Sequence, residues 1–260
     1  MKPLRTMVRE FADLETLSAA AAEKFCRITQ DAIAARGRCT VVLAGGSTPR
    51  RPYELLATPM YRTKVQWDRL EFFWGDERMV PHDHPDSNFR MANETLLSRI
   101  PVSEHNIHRI QTERGAPQTV AQDYEEEIAQ VFHLPLGGQP PAFDVILLGM
   151  GADGHTASLF PYSDALDETS RWVVPNHGPM PDIERVTMTP RVINTARHVI
   201  FLVAGADKAQ TLAQVLEGTR DPQRFPAQLI CPVLGELAWF VDFAAAAELR
   251  RAKESGGLHA

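Results

Sequence analysis

Cysteine is scarce: Cys26, Cys39 and Cys231 are the only thiols in 260 residues. An odd, scattered set without metal-ligand spacing builds no disulfide framework, so reduced thiols in a cytoplasmic protein are expected. No apolar run approaches the ~20 residues that a membrane-spanning helix needs. The opening MKPLRTMVREF has no apolar core of signal-peptide type, so secretion is not expected. Positive charge is not in excess either. The 27 basic and 33 acidic residues leave a formal charge of −6, which argues against nucleic acid and anionic membranes as partners. Internal repeats, low-complexity tracts and long linkers are absent, so one domain over 1–260 is expected.

What is present is an alternation of short apolar runs and amphipathic stretches. Leu14–Arg36 carries apolar residues at helical spacing and stops at Gly37, a helix with a glycine terminator. Residues 39–44, 70–74, 107–110, 144–148, 172–175, 186–189, 198–204 and 237–243 read as strands. Residues 53–56, 88–98, 120–132 and 208–217 read as helices, and the tail from Lys253 as frayed. The pattern predicts an α/β, Rossmann-like fold: a mostly parallel sheet covered by helices on both faces.

Three of these strands end in polar, glycine-bearing clusters, at 45–49, 75–78 and 149–158. In a parallel sheet such ends share one edge, so the clusters are expected to converge. The densest lies in FDVILLGMGADGHTASLFP, from Phe143 to Pro161. Its glycines allow close backbone approach, and Asp153 with His155 supplies a carboxylate and an imidazole for proton transfer at neutral pH. Residues 149–154 also match the G-x-G-x-x-G pattern of dinucleotide sites. Pro161 leaves no room for the long helix that would face a pyrophosphate, so no such cofactor is expected. If His155 opens a short helix, the helix dipole disfavours the imidazolium while Asp153 favours it. Ser158 lacks the G-x-S-x-G setting of a covalent nucleophile.

Gly45-Gly46-Ser47-Thr48-Pro49 joins a strand to a helix. Free N–H groups, two hydroxyls and the helix start suit a phosphate; the alternative is a plain turn with Ser47 or Thr48 as N-cap. Gly151 is grouped with these backbone donors. Lys208 follows another strand end and is read as a phosphate contact, with Arg185 beside it and Arg191 left to the surface. Arg78 leaves the apolar strand before it at the sheet edge, where it can hold developing negative charge; a solvated charged turn is the alternative. His82-Asp83-His84-Pro85-Asp86 fits no established ligand spacing, so no metal is expected.

GGSTP, FFWGDERMVPHDHPDSNFRMANETLL, FDVILLGMGADGHTASLFP and GADKA occur in the order seen in 6-phosphogluconolactonases. The chain resembles that family from about Cys39 to Phe243, and the pairing of GDER with DGHTASLFP is its specific part. The resemblance implies a Rossmann-like sheet shared with glucosamine-6-phosphate deaminases. It implies hydrolysis of 6-phospho-D-glucono-1,5-lactone to 6-phosphogluconate, the second step of the oxidative pentose phosphate pathway, with no cofactor. The expected partner is a small sugar-phosphate lactone, and the expected state a monomer or weak homodimer. His155 would then activate water, Asp153 orient it and Arg78 hold the oxyanion, with Ser47, Thr48, Lys208 and Arg185 on the phosphate. Deaminases resemble the same core but carry a glutamate where Phe160 stands and Asp-Glu-Tyr where this chain has Asp76-Glu77-Arg78. Ring opening and amine loss call for further acid/base groups, which Phe160 cannot supply. A sugar-phosphate sensor without turnover is the third reading.

Overall fold

The computed structural model describes residues 6–178 and 183–250; the tail from Lys253, expected to fray, lies outside them. In chain order, β1 (Thr6–Phe11), α1 (Leu14–Arg36), β2 (Cys39–Leu43), α2 (Ser47–Leu56) and α3 (Pro59–Arg62) come first. Then follow β3 (Leu70–Trp74), β4 (Asp76–Arg78), α4 (Asn88–Thr95), α5 (Pro117–Phe132) and β5 (Val145–Leu148). β6 (Val173–His177), β7 (Glu184–Met188), α6 (Pro190–Ile193), β8 (His198–Val203), α7 (Ala209–Glu217) and β9 (Glu236–Asp242) complete the order.

Six strands form one sheet in the order β1-β9-β8-β5-β2-β3, every neighbouring pair parallel. The central strands are apolar along their whole length because helices flank the sheet: every residue of β2 and β5 is buried. α1 packs against β1, β2 and β9, and α2 against β8. α1 starts where Asp13 accepts a hydrogen bond from the Thr16 amide, and it ends at Gly37 with φ 77°, a left-handed turn that glycine adopts without strain. Among the described residues, no helix is long and apolar enough to cross a membrane.

Several expectations are corrected. Residues 172–175 and 186–189 do not join the large sheet; β6 and β7 form a hairpin that pairs with β4 in a separate antiparallel sheet. Asp76–Arg78, where a solvated charged turn is the alternative reading, is a strand held by β7. Residues 107–110 make only one bridge, Ile107 to Phe72; the side chain of the next residue, His108, lies between Glu71 and Glu127. β1 is not among the strands expected from the sequence: five of its six residues are exposed and carry no buried pattern, yet it pairs in full with β9 as an edge strand. No helix opens at His155, so no helix dipole acts on its ring.

Candidate active site

The chain leaves β2 towards β3 on one side and leaves β5 towards β8 on the other. That divergence opens a crevice beyond the carboxyl ends of the strands, where open α/β sheets bind ligands. A cavity of about 350 Å³ lies there, lined by Gly45 to Pro49 after β2, Gly75 after β3, residues 149–151 after β5 and Lys208 after β8. The three glycine-bearing clusters do converge. The small sheet closes the other wall, since β4 starts one residue after β3 and brings Arg78 and Arg185 to the same space.

His155 lines this cavity with its side chain 31% exposed, so the ring is open to solvent and ligand. Its Nδ1 lies 2.6 Å from Asp153 Oδ1, which also accepts the His155 backbone N–H at 3.1 Å. Burial pushes the Asp153 carboxyl up, but the hydrogen bond and charge of His155 outweigh it and hold the carboxyl below its ordinary value. With Nδ1 committed to the carboxylate, Nε2 is the nitrogen left for a proton from the cavity. Asp153 itself is not part of the cavity lining. The centre of the Phe160 ring lies 4.8 Å from that of the imidazole, tilted to it by 50°.

The loop is shaped around this pair. A Cβ on Gly151 would stand 2.1 Å from His155 Nδ1 and 2.6 Å from Asp153 Oδ1, so only glycine leaves room for them. The Gly151 N–H donates to the His155 carbonyl at 2.9 Å. Its expected part as a backbone donor to the ligand is thereby corrected: that hydrogen is spent within the loop. Ala157 turns through φ 48°, a rare conformation for alanine, and sends the next side chain inward. Ser158 is fully buried and donates to Asp76 Oδ2 at 2.6 Å, which accounts for a structural hydroxyl rather than a nucleophile.

Positive groups share the cavity wall with the ring. Arg78 and Arg185 are register partners on β4 and β7. Each has a buried Nε with no hydrogen-bond partner, a costly state for paired like charges unless an anion joins them. Burial and the neighbouring Arg78 charge both pull the Arg185 guanidinium below its ordinary value. The Arg185 guanidinium lies 5.9 Å over the Phe160 ring, so one aromatic ring backs both the base and a cation. Lys208 adds its ammonium, 2.9 Å from Asp207. Arg191 points elsewhere, donating to the carbonyls of Ser170 and Gly138.

The N-cap of α2 is Gly46, at φ 91°, and no side chain caps it. Ser47 and Thr48 are therefore in the first helical turn, which sets aside the alternative of either as N-cap, and that turn, whose N–H groups have no intrahelical partner, lines the cavity. His84, in the expected non-ligating His-Asp loop, instead accepts the Asp86 N–H at 3.2 Å and closes a turn.

Residues 12–239 match the family model described as glucosamine-6-phosphate isomerases/6-phosphogluconolactonase. The chain belongs to that family. It is 47% identical over 225 residues to a 6-phosphogluconolactonase of Synechocystis, covering 86% of this chain and 90% of that protein. It is 36% identical to 6-phosphogluconolactonase 3, chloroplastic, of Arabidopsis thaliana, covering 91% of this chain and 71% of the relative. The structure of 6-phosphogluconolactonase from Trypanosoma brucei superposes with a TM-score of 0.83 at 34% identity, over 95% of this chain and 99% of that one. A monomeric glucosamine-6-phosphate deaminase shares the fold, with a TM-score of 0.77 at 20% identity.

Asn88, Asp76 and Phe160 were not singled out as site residues, although all three line the cavity. Asn88 follows Ser87, the N-cap of α4, and an Asp-Ser-Asn run after a proline-rich loop reads simply as a helix start. Phe160 gives no signal beyond its place after the histidine loop.

Proposed function

We propose that the protein hydrolyses 6-phospho-D-glucono-1,5-lactone to 6-phosphogluconate, the second step of the oxidative pentose phosphate pathway, with His155 as the base. The observation that carries this reading is an imidazole, oriented by a carboxylate at 2.6 Å, sharing one cavity with two arginines that have unused buried donors. Its family membership and the 47% identity to a named 6-phosphogluconolactonase support the substrate.

His155 Nε2 takes a proton from water as the water oxygen bonds to the lactone carbonyl carbon. The carbonyl π electrons move onto oxygen, and Arg78 holds that oxyanion; one such donor contributes about 2.7–4 kcal/mol to the transition state. As the intermediate collapses, the bond from the carbonyl carbon to the ring oxygen breaks, and the imidazolium returns its proton to that oxygen. The new carboxylic acid then loses its proton to solvent. Asp153 stabilises the imidazolium throughout. Ser47, Thr48, the first turn of α2, Lys208 and Arg185 hold the 6-phosphate, so that binding energy fixes the lactone carbonyl near the base. The protein works as one domain, a monomer or weak homodimer, without cofactor.

A pH-stat assay on freshly generated lactone, corrected for spontaneous opening, tests this. Rapid acid release is expected. Ammonia from glucosamine 6-phosphate with no lactone hydrolysis would replace this reading by the deaminase one, and ligand-induced stabilisation without turnover of either compound by the sensor one.

A further inference from the structure

We infer that Asn88 is a positioning residue that locks Arg78, the phosphate-facing glycine loop and the histidine loop into one arrangement; this deepens the hydrolase reading and rests on it. Asn88 is the first residue of α4, and its side chain is buried at the cavity wall. Its Oδ1 accepts from Arg78 Nη1 at 2.7 Å. Its Nδ2 donates to the Asp76 carbonyl at 2.9 Å and to Asp76 Oδ1 at 3.2 Å. The other Asp76 oxygen accepts from Ser158, three residues beyond His155. The Gly45 backbone rests directly on the same carboxamide: a Cβ there would lie 1.8 Å from Asn88 Oδ1.

The amide touches Arg78, Asp76 and the Gly45 turn directly and reaches the histidine loop through the Asp76 carboxylate, and each contact has a direction. Oδ1 draws Arg78 Nη1 to one side, where the Asp86 carbonyl also accepts from it at 2.8 Å, while Arg78 Nε keeps no partner. A guanidinium fixed at its Nη1 corner is an oriented donor, and preorganised donors are what a developing oxyanion needs. The Nδ2 hydrogens occupy the side facing Asp76, so only a group that accepts at one end and donates at the other fits. The groups facing the carboxamide are charged: Asp76, Glu77 and Arg78 from β4, with Arg185 next to Arg78 on β7. Glu77 accepts the Asn88 backbone N–H at 2.8 Å, and burial raises its carboxyl despite that bond and those from Phe89 and Arg78.

The test compares Asn88→Ala and Asn88→Asp with wild type in the lactone assay, with melting temperatures alongside. Asn88→Ala is expected to lower kcat at least about tenfold, the loss of a hydrogen bond to a charged group, with a smaller change in KM. Asn88→Asp keeps an acceptor for Arg78 but donates towards Asp76 only when protonated. Its kcat relative to wild type is expected to rise at least about tenfold from ~pH 8 to ~pH 5.5, while the Asn88→Ala ratio stays flat. A purely structural role would lower both melting temperatures without that pH signature. An Asn88→Asp ratio flat with pH, or Asn88→Ala within about threefold of wild-type kcat, would overturn the inference. Wild type without lactone turnover would instead sink the hydrolase reading.

Discussion

Asp153→Asn isolates the pair on which the proposed chemistry turns. Asp153 Oδ1 accepts from His155 Nδ1 at 2.6 Å and from the His155 backbone at 3.1 Å. A hydrogen bond to a charged partner contributes about 1.5–3 kcal/mol, or about 10- to 150-fold in rate. The side chains are 31% and 41% exposed, so solvent screening places the purely electrostatic loss in the lower part of that range. The amide oxygen takes the place of Oδ1, because both His155 N–H groups need an acceptor there, so the ring tautomer is kept and the loss is that of the negative charge stabilising the imidazolium. This predicts a fall in kcat of about 10- to 100-fold. KM should hardly change, because Asp153 does not line the cavity. Asp153→Ala removes the acceptor as well as the charge and should retain less activity than Asp153→Asn. Combined with His155→Ala, neither should add a further loss. The measurement is initial-rate acid release from fresh lactone. Asp153→Asn within about threefold of wild type, or losses that add in the double variant, would refute the assignment of His155 as a carboxylate-oriented base.

Gly151→Ala puts a methyl 2.1 Å from His155 Nδ1; since the ring can swing away, a kcat loss of about 10²-fold is expected with a melting temperature close to wild type, and retained activity would contradict the geometry. Lys208→Ala should raise KM about tenfold with kcat nearly unchanged, and a fall in kcat alone would remove the lysine from the phosphate. Burial pulls the His108 imidazole down, but hydrogen bonds to Glu127 and Glu71 lift it to about 9. Because that value is raised, its stabilisation is full below the unfolded value of ~6.5 and fades as pH rises through about 9. The stability gap between wild type and His108→Gln in urea melts should therefore shrink by roughly 3 kcal/mol between ~pH 6 and ~pH 10, and a gap independent of pH would rule out a charged clamp.

The amino-acid sequence alone determined α1 and the buried strands β2, β3, β5 and β8, because their burial pattern repeats over short distances and caps such as Gly37 are local. It also placed three glycine-bearing clusters at strand ends, from which their meeting at one edge follows by topology. Tertiary structure decided the rest. β1 is held by its pairing with β9 rather than by an apolar pattern of its own. Arg185 meets Arg78 because β7 runs antiparallel to a strand more than a hundred residues earlier. The Gly151 N–H is consumed by a carbonyl of its own loop, and Asn88 acquires its partners from β4 and from the turn after β2. Side-chain hydrogen bonds and edge pairings depend on which distant segment arrives, and residue-by-residue propensity does not encode that.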